Sequence, residues 1–144
     1  MKKLLLLTCA GLAFSHVLFA QNNNLSETAS LLFKDVKTKL TGEEKNQIAT
    51  QLGFIPSGNK DQPFALDKDS KEYPFGATVF PADMNKDGNE EIFVMFGNSF
   101  TSGHAGSSVT LFIKDAKGAY TPQLGFPGMA PDVLARVFEP FFTT

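Results

Sequence analysis

"ATVFPADMNKDGNEEIFVMFGN", residues 77–98, is the stretch on which the fold of this chain turns. Its opening, residues 77–80, carries β-branched and aromatic side chains and reads as the start of a strand. Its end, "EIFVMFGN", places Ile92, Val94 and Phe96 on one side of a strand and Phe93 and Met95 on the other. A strand apolar on both faces is expected in the interior of a sheet, covered on each side. Between the two lie Asp83, Asn85, Asp87, Asn89 and Glu91 on every second position, with Gly88 inside the run.

That alternation has a chemistry. Calcium is a hard cation that takes six to eight oxygens, and a loop delivers them from alternate residues as it curls around the ion. Positions 1, 3, 5 and 9 of such a loop give side chains and position 7 its backbone carbonyl; here these are Asp83, Asn85, Asp87, Glu91 and Asn89. Gly88 occupies position 6, where the bend needs backbone angles costly for other residues. "KDG" favours a plain polar turn as well, but five matching positions and the glycine go beyond a turn. The expected ligand is therefore Ca2+.

An EF-hand would add a glutamate at position 12, which is Val94 here, and a helix on each side. The flanks instead have strand character. The stretch resembles the strand-flanked calcium loops of the FG-GAP and VCBS repeat families, whose pattern is D-x-[DN]-x-[DN]-G-x-x-[DE] before an apolar strand. The resemblance covers residues 78–97 and implies calcium at Asp83, Asn85, Asp87, Asn89 and Glu91. It does not carry over the families' β-propeller, since one copy of the repeat is present in a chain of 144 residues.

Upstream, Ala29, Leu32, Phe33, Val36 and Leu40 recur at three and four residues, the spacing of one buried helix face, with Ser26 placed to cap its start. Thr41 and Glu44 have capping-box spacing for a second helix, Ile48 and Leu52 share its face, and Gly53 suits a left-handed stop. "PSGNKDQ" reads as a loop, and "LDKDSKEYPFG" as turn-prone chain without a clear period. Downstream, "SSVTLFIK" and "GAYTPQL" flank "DAKG" as a hairpin. Helices first and strands after give an α+β fold: two N-terminal helices, a small antiparallel sheet with the calcium loop between strands, and a short C-terminal helix.

The first twenty residues combine "MKK", the apolar "LLLLTCAGLAF" and "LFA" before "QNNN", the layout of a signal peptide cut after Ala20. The apolar run is interrupted by Ser15 and His16 and falls short of the ~20 residues a membrane span needs. Cys9 in "LLTC" matches a lipoprotein signal only loosely, because Thr8 stands where a small Gly or Ala is usual. The organisation expected is a signal peptide at 1–20, an α+β domain at 21–125 and a helical tail at 126–144. Without Lys2 and Lys3 the charge balance is 11 basic against 15 acidic residues, near −4. No basic cluster of the kind that tracks phosphates is present, so nucleic acid is not an expected partner. A periplasmic or secreted protein with a protein or surface ligand is.

Two further stretches carry alternatives. "GNSFTSGHAGSS", residues 97–108, contains His104, the sole histidine after residue 20, beside Ser99, Ser102, Ser107 and Ser108. A hydrolase would pair one of these serines with His104 and an acid, an arrangement recognised by geometry. The loop lacks the Gly-Lys-Ser/Thr of a phosphate cradle, and one histidine without cysteine cannot build a usual zinc site. "GMAPDVLARVFEPFFTT" closely resembles a fragment of the ATP-binding domain of sensor histidine kinases, over residues 125–144. The family's adenine-reading aspartate aligns with Leu124 and its first box glycine with Phe126, so the resemblance fails where nucleotide chemistry begins. This leaves a helix over residues 131–138 followed by Phe141 and Phe142, in a chain that reads as a non-enzymatic binding protein or, alternatively, as a kinase fragment fused to a secreted domain.

Overall fold

A computed structural model describes residues 24–103 and 106–129, with only the course of the strand given at 126–129. The expected signal peptide, His104 and the expected C-terminal helix lie outside the described residues. Within them the fold is α+β. Helices α1 (Glu27–Leu32) and α2 (Gly42–Leu52) precede a two-stranded ladder, β1 (Ile55–Pro56) with β2 (Phe64–Ala65). A four-stranded antiparallel meander follows, β3 (Gly76–Ala82), β4 (Glu91–Gly97), β5 (Ser107–Lys114) and β6 (Tyr120–Met129), in that spatial order. A one-turn helix, α3 (Ser99–Ser102), sits between β4 and β5. No helix among the described residues is long and apolar enough to cross a membrane.

Both N-terminal helices start where their caps place them. The Ser26 hydroxyl accepts from Ala29 N–H at 3.1 Å, and the Thr41 hydroxyl accepts from Glu44 N–H while the Glu44 carboxylate accepts from Thr41 N–H at 2.7 Å. Such caps satisfy amides that have no intrahelical partner. Gly53, at φ 72°, ends α2 in the left-handed region. The first helix is shorter than its apolar spacing predicts: it stops at Leu32, and Asp35 turns the chain at φ 61°. Val36 and Leu40 still reach the core, from a turn and an extended linker rather than from a helix face. Periodicity identified which residues are buried and misplaced the end of the element that buries them.

The main core lies between the helices and one face of the meander. Ile92 and Val94 of β4 are fully buried there with Val79, Phe112, Tyr120, Ile48 and Ala29. Phe54, just past α2, stacks its ring edges against Phe64, Phe75 and Phe96 with centroids 5.6, 5.0 and 4.7 Å away. The small ladder exists because it carries Phe64 into this aromatic group; Phe64 and Phe75 also exchange backbone hydrogen bonds at 3.1 and 2.8 Å. On the other face, Phe93, Val109 and Leu111 form a second cluster with Phe80, Met84, Met95 and Ile113. β4 is therefore apolar and buried on both sides, as its composition requires. Proline respects the same layout: Pro81, Pro122 and Pro127 fall on the outer strands β3 and β6, where a missing N–H leaves no interior ladder broken. β6 runs on to Met129, so the sheet continues into the stretch expected to begin the tail.

Gly97 closes β4 at φ 116°, and a Cβ there would overlap the Ser102 hydroxyl and come within 2.8 Å of the Thr101 hydroxyl. Ser102 cannot easily yield, since it is buried and its hydroxyl bonds that of Ser108 at 2.9 Å. Gly97→Ala is expected to cost about 2 kcal/mol, the scale of a strained backbone position. Urea unfolding of the two proteins measures it, and the mutant midpoint should fall with the slope unchanged.

Candidate metal centre

The acidic loop joins β3 to β4, as the sequence implies, and its ends are held by the antiparallel pair Ala82 and Glu91. Two left-handed residues shape the bend, Lys86 at φ 60° and Gly88 at φ 92°. Within it the side chains bond the backbone in a regular way. Asp83 Oδ2 accepts from Gly88 N–H at 3.0 Å, Asn85 Oδ1 from Asp87 N–H at 2.9 Å, and Asp87 Oδ1 from Asn89 N–H at 2.8 Å. The Asn85 amide donates to Asp87 Oδ2 at 2.9 Å and the Asn89 amide to Asp87 Oδ1 at 3.1 Å. These donors, the Asn89 N–H foremost and then the two side-chain amides, hold the Asp87 carboxyl below its ordinary range. Asp87 is thus an anion throughout the neutral range.

Asp83 and Glu91 differ from Asp87 in burial. Glu91 is buried, and its Oε2 accepts from Met84 N–H at 2.8 Å. Asp83 Oδ1 is buried as well, and among the described residues it has no hydrogen-bond partner. A buried carboxylate oxygen left without a donor is costly, and a cation is a way to satisfy it. The five expected ligands do share one short bend. Asn85 and Asn89 are each bonded to Asp87, while Asp83 and Glu91 face the loop backbone at either end. The three carboxylates do not converge: no cluster of three or more His, Cys, Asp or Glu side chains suited to a metal occurs among the described residues. Each spends an oxygen on a backbone N–H.

Two residues that the sequence reading did not single out fix the loop's exit. Glu90, the residue before β4, reaches the linker between the helices, where its Oε2 accepts from the Thr38 hydroxyl at 2.5 Å and from Lys39 N–H at 2.9 Å. Tyr120 of β6 donates its hydroxyl to the Glu90 carbonyl at 2.9 Å. The linker between the helices and the far edge of the sheet thereby meet at one residue. Nothing in the local pattern of "NEEIF" announces a partner 52 residues away.

The serine-rich loop is organised structurally. The Asn98 side chain caps α3 through Phe100 N–H and Thr101 N–H and donates to the carbonyls of Tyr73 and Pro74. The exposed rings of Tyr73 and Phe100 stack with centroids 4.0 Å apart. Ser102 and Ser108 are buried and their hydroxyls bond each other at 2.9 Å.

What the fold and this site define is a small α+β domain with a strand-flanked acidic loop. No protein-family model matches the chain, and no curated protein or solved structure matches it either.

Tyr120 gives the region a pH signature. Burial, then the negative charges of Glu44, Glu90, Glu91 and Asp87, push its hydroxyl up to about 12. Above its ordinary value of 10.0 the unfolded chain releases this proton while the folded chain keeps it. Stability is then fully present below that pH and is lost as pH rises toward the folded value. Denaturation midpoints across this alkaline window should fall in the wild type. Tyr120→Phe should flatten that part of the curve, at a cost near neutral pH of about 1 kcal/mol for the lost hydrogen bond.

Proposed function

We propose that residues 83–91 bind one calcium ion, through the side chains of Asp83, Asn85, Asp87 and Glu91 and the backbone carbonyl of Asn89, and that the ion clasps the β3–β4 hairpin of an exported binding protein. The observation that carries this reading is the buried Asp83 Oδ1 with no donor to it. The glycine at the bend, the ionised Asp87 and the oxygen-only donor set agree with a hard cation rather than with zinc or copper. The ion's role is charge neutralisation: it draws together carboxylates that otherwise repel. Export is supported by the leader-like residues 1–20, and a role in binding a protein or surface ligand by the loops at the sheet's ends.

Calcium loops of extracellular modules often have Kd values of ~10⁻⁴–10⁻³ M, so a site of this class fills in a calcium-rich compartment. At calcium tenfold above Kd the gain is about 1.4 kcal/mol, or about 5 °C in melting temperature for a domain this size. Thermal melts in EDTA and in millimolar calcium are expected to differ by that amount, with magnesium giving much less. Asp87→Ala, on the exposed part of the loop, should remove the difference and leave the fold intact. Identical wild-type melts in the two buffers would refute the proposal.

A further inference from the structure

Asp87–Gly88 is the one step in the chain at which an aspartate or asparagine is followed by glycine. The pairing matters chemically, because a main-chain nitrogen can attack the side-chain carbonyl carbon of the residue before it. A Cβ on the attacking residue obstructs that approach, and glycine has none. The surroundings are open as well: a Cβ built on Gly88 meets nothing within 4 Å, and both residues are exposed. Yet both reacting groups are held. Gly88 N–H donates to Asp83 Oδ2 at 3.0 Å. Asp87 Oδ1 accepts from Asn89 N–H at 2.8 Å and from the Asn89 side-chain amide at 3.1 Å, and Asp87 Oδ2 accepts from the Asn85 amide at 2.9 Å.

We propose that Asp87–Gly88 is a site of spontaneous backbone modification, an aspartate that isomerises to isoaspartate, and that the loop's own hydrogen bonds hold the reaction in check. Gly88 N attacks Asp87 Cγ. A C–N bond forms, a carboxyl C–O bond breaks, and the oxygen leaves as water with the amide proton and one from solvent. Water then adds to the cyclic imide. Entry at Cγ restores aspartate, whereas entry at the main-chain carbonyl routes the backbone through Cβ and Cγ as isoaspartate. Water is the only co-reactant, and the net change in mass is nil. The main chain of the bend becomes one carbon longer and the free carboxylate stands on a shorter arm, which displaces the oxygens that Asn85 and Asn89 bond. Ring closure requires the Asp87 side chain to swing back over its own peptide bond. Three donors pull it toward Asn85 and Asn89 instead, and the bond to Asp83 fixes the plane of the Gly88 peptide. Reaction therefore waits on local opening of the bend. The guard consists of these bonds and does not depend on calcium.

The test incubates the full chain in heavy-oxygen water with EDTA, near neutral pH. Each passage through the imide leaves a heavy oxygen or an isoaspartate at residue 87, and peptide mapping by mass spectrometry resolves both. In concentrated urea Asp87 should turn over at least about tenfold faster than in the folded wild type, and the folded Gly88 N–H should exchange with solvent more slowly by a similar factor. Asp83→Ala, checked for folding by circular dichroism, should react several-fold faster than the wild type. Asp83→Asn, whose amide oxygen still accepts from Gly88 N–H, should stay within about twofold of it. No turnover at Asp87 in urea overturns the proposal, as does equal turnover in urea and in the folded wild type. An unprotected Gly88 amide overturns it whether or not Asp83→Ala folds. So does an unchanged or lower rate in folded Asp83→Ala; the lower rate would make Asp83 a base for the reaction rather than a restraint on it.

Discussion

β4 has no face that tolerates water, and the rest of the molecule is arranged to meet that demand. Ile92 and Val94 are buried where the N-terminal helices pack on one side of the sheet, and Phe93 packs on the other side with Val109 and Leu111, in a strand that has neighbours on both edges. Burial of a large apolar side chain is worth about 1.5–3 kcal/mol, so this one strand concentrates a large part of the driving force. The aromatic group around Phe54 follows from it, because Phe96 completes the row on the core side and draws Phe64 and Phe75 toward the end of α2. The two-residue ladder of β1 and β2 has little stability alone. It persists because its phenylalanine has somewhere apolar to go.

The acidic loop inherits its geometry from the same strand. Glu91, the first residue of β4, bonds Met84 N–H, while Glu90 just before it is received by Thr38 and Lys39 of the inter-helix linker. Two adjacent carboxylates thus have unrelated environments. One belongs to the loop's own closure, and the other links the loop's exit to a linker far away in sequence. Tyr120 adds a third tie from β6 through the Glu90 carbonyl. The bend is consequently anchored at its exit by two distant parts of the chain and by its own closure, while Asn85 and Asp87 at its tip stand in solvent.

Much of this was legible in the residues. The capping box at Thr41 and Glu44, the stop at Gly53, the two-faced apolar run of β4 and the turn at Asp115–Gly118 are local signals, and each sits where its chemistry is satisfied within a few residues. What was not legible depends on distant or weak terms. The end of α1 hangs on Asp35 adopting a left-handed backbone, which apolar spacing does not register. β1, β2 and α3 are too short to display a period at all. In the candidate site, the order of the oxygen-bearing residues was readable, but the direction of each carboxylate was not. That direction is set by which backbone N–H lies nearest once the chain has bent, and in the case of Glu90 by a hydroxyl from the inter-helix linker.

The meander also says something about how the molecule comes to exist. Every strand of the larger sheet pairs with the strand next to it in the chain, so each ladder needs only a short loop closure. Such sequence-local pairing favours rapid assembly over a slow search for remote partners. The distant ties run from α2 to β6, where Gln47 accepts from Tyr120 N–H and Gln51 donates to the Tyr120 carbonyl. A chain emerging from its amino end makes its helices well before the strand that bonds α2 through Tyr120. Tyr120 is the latch that ties the first-made helices to the far edge of the sheet.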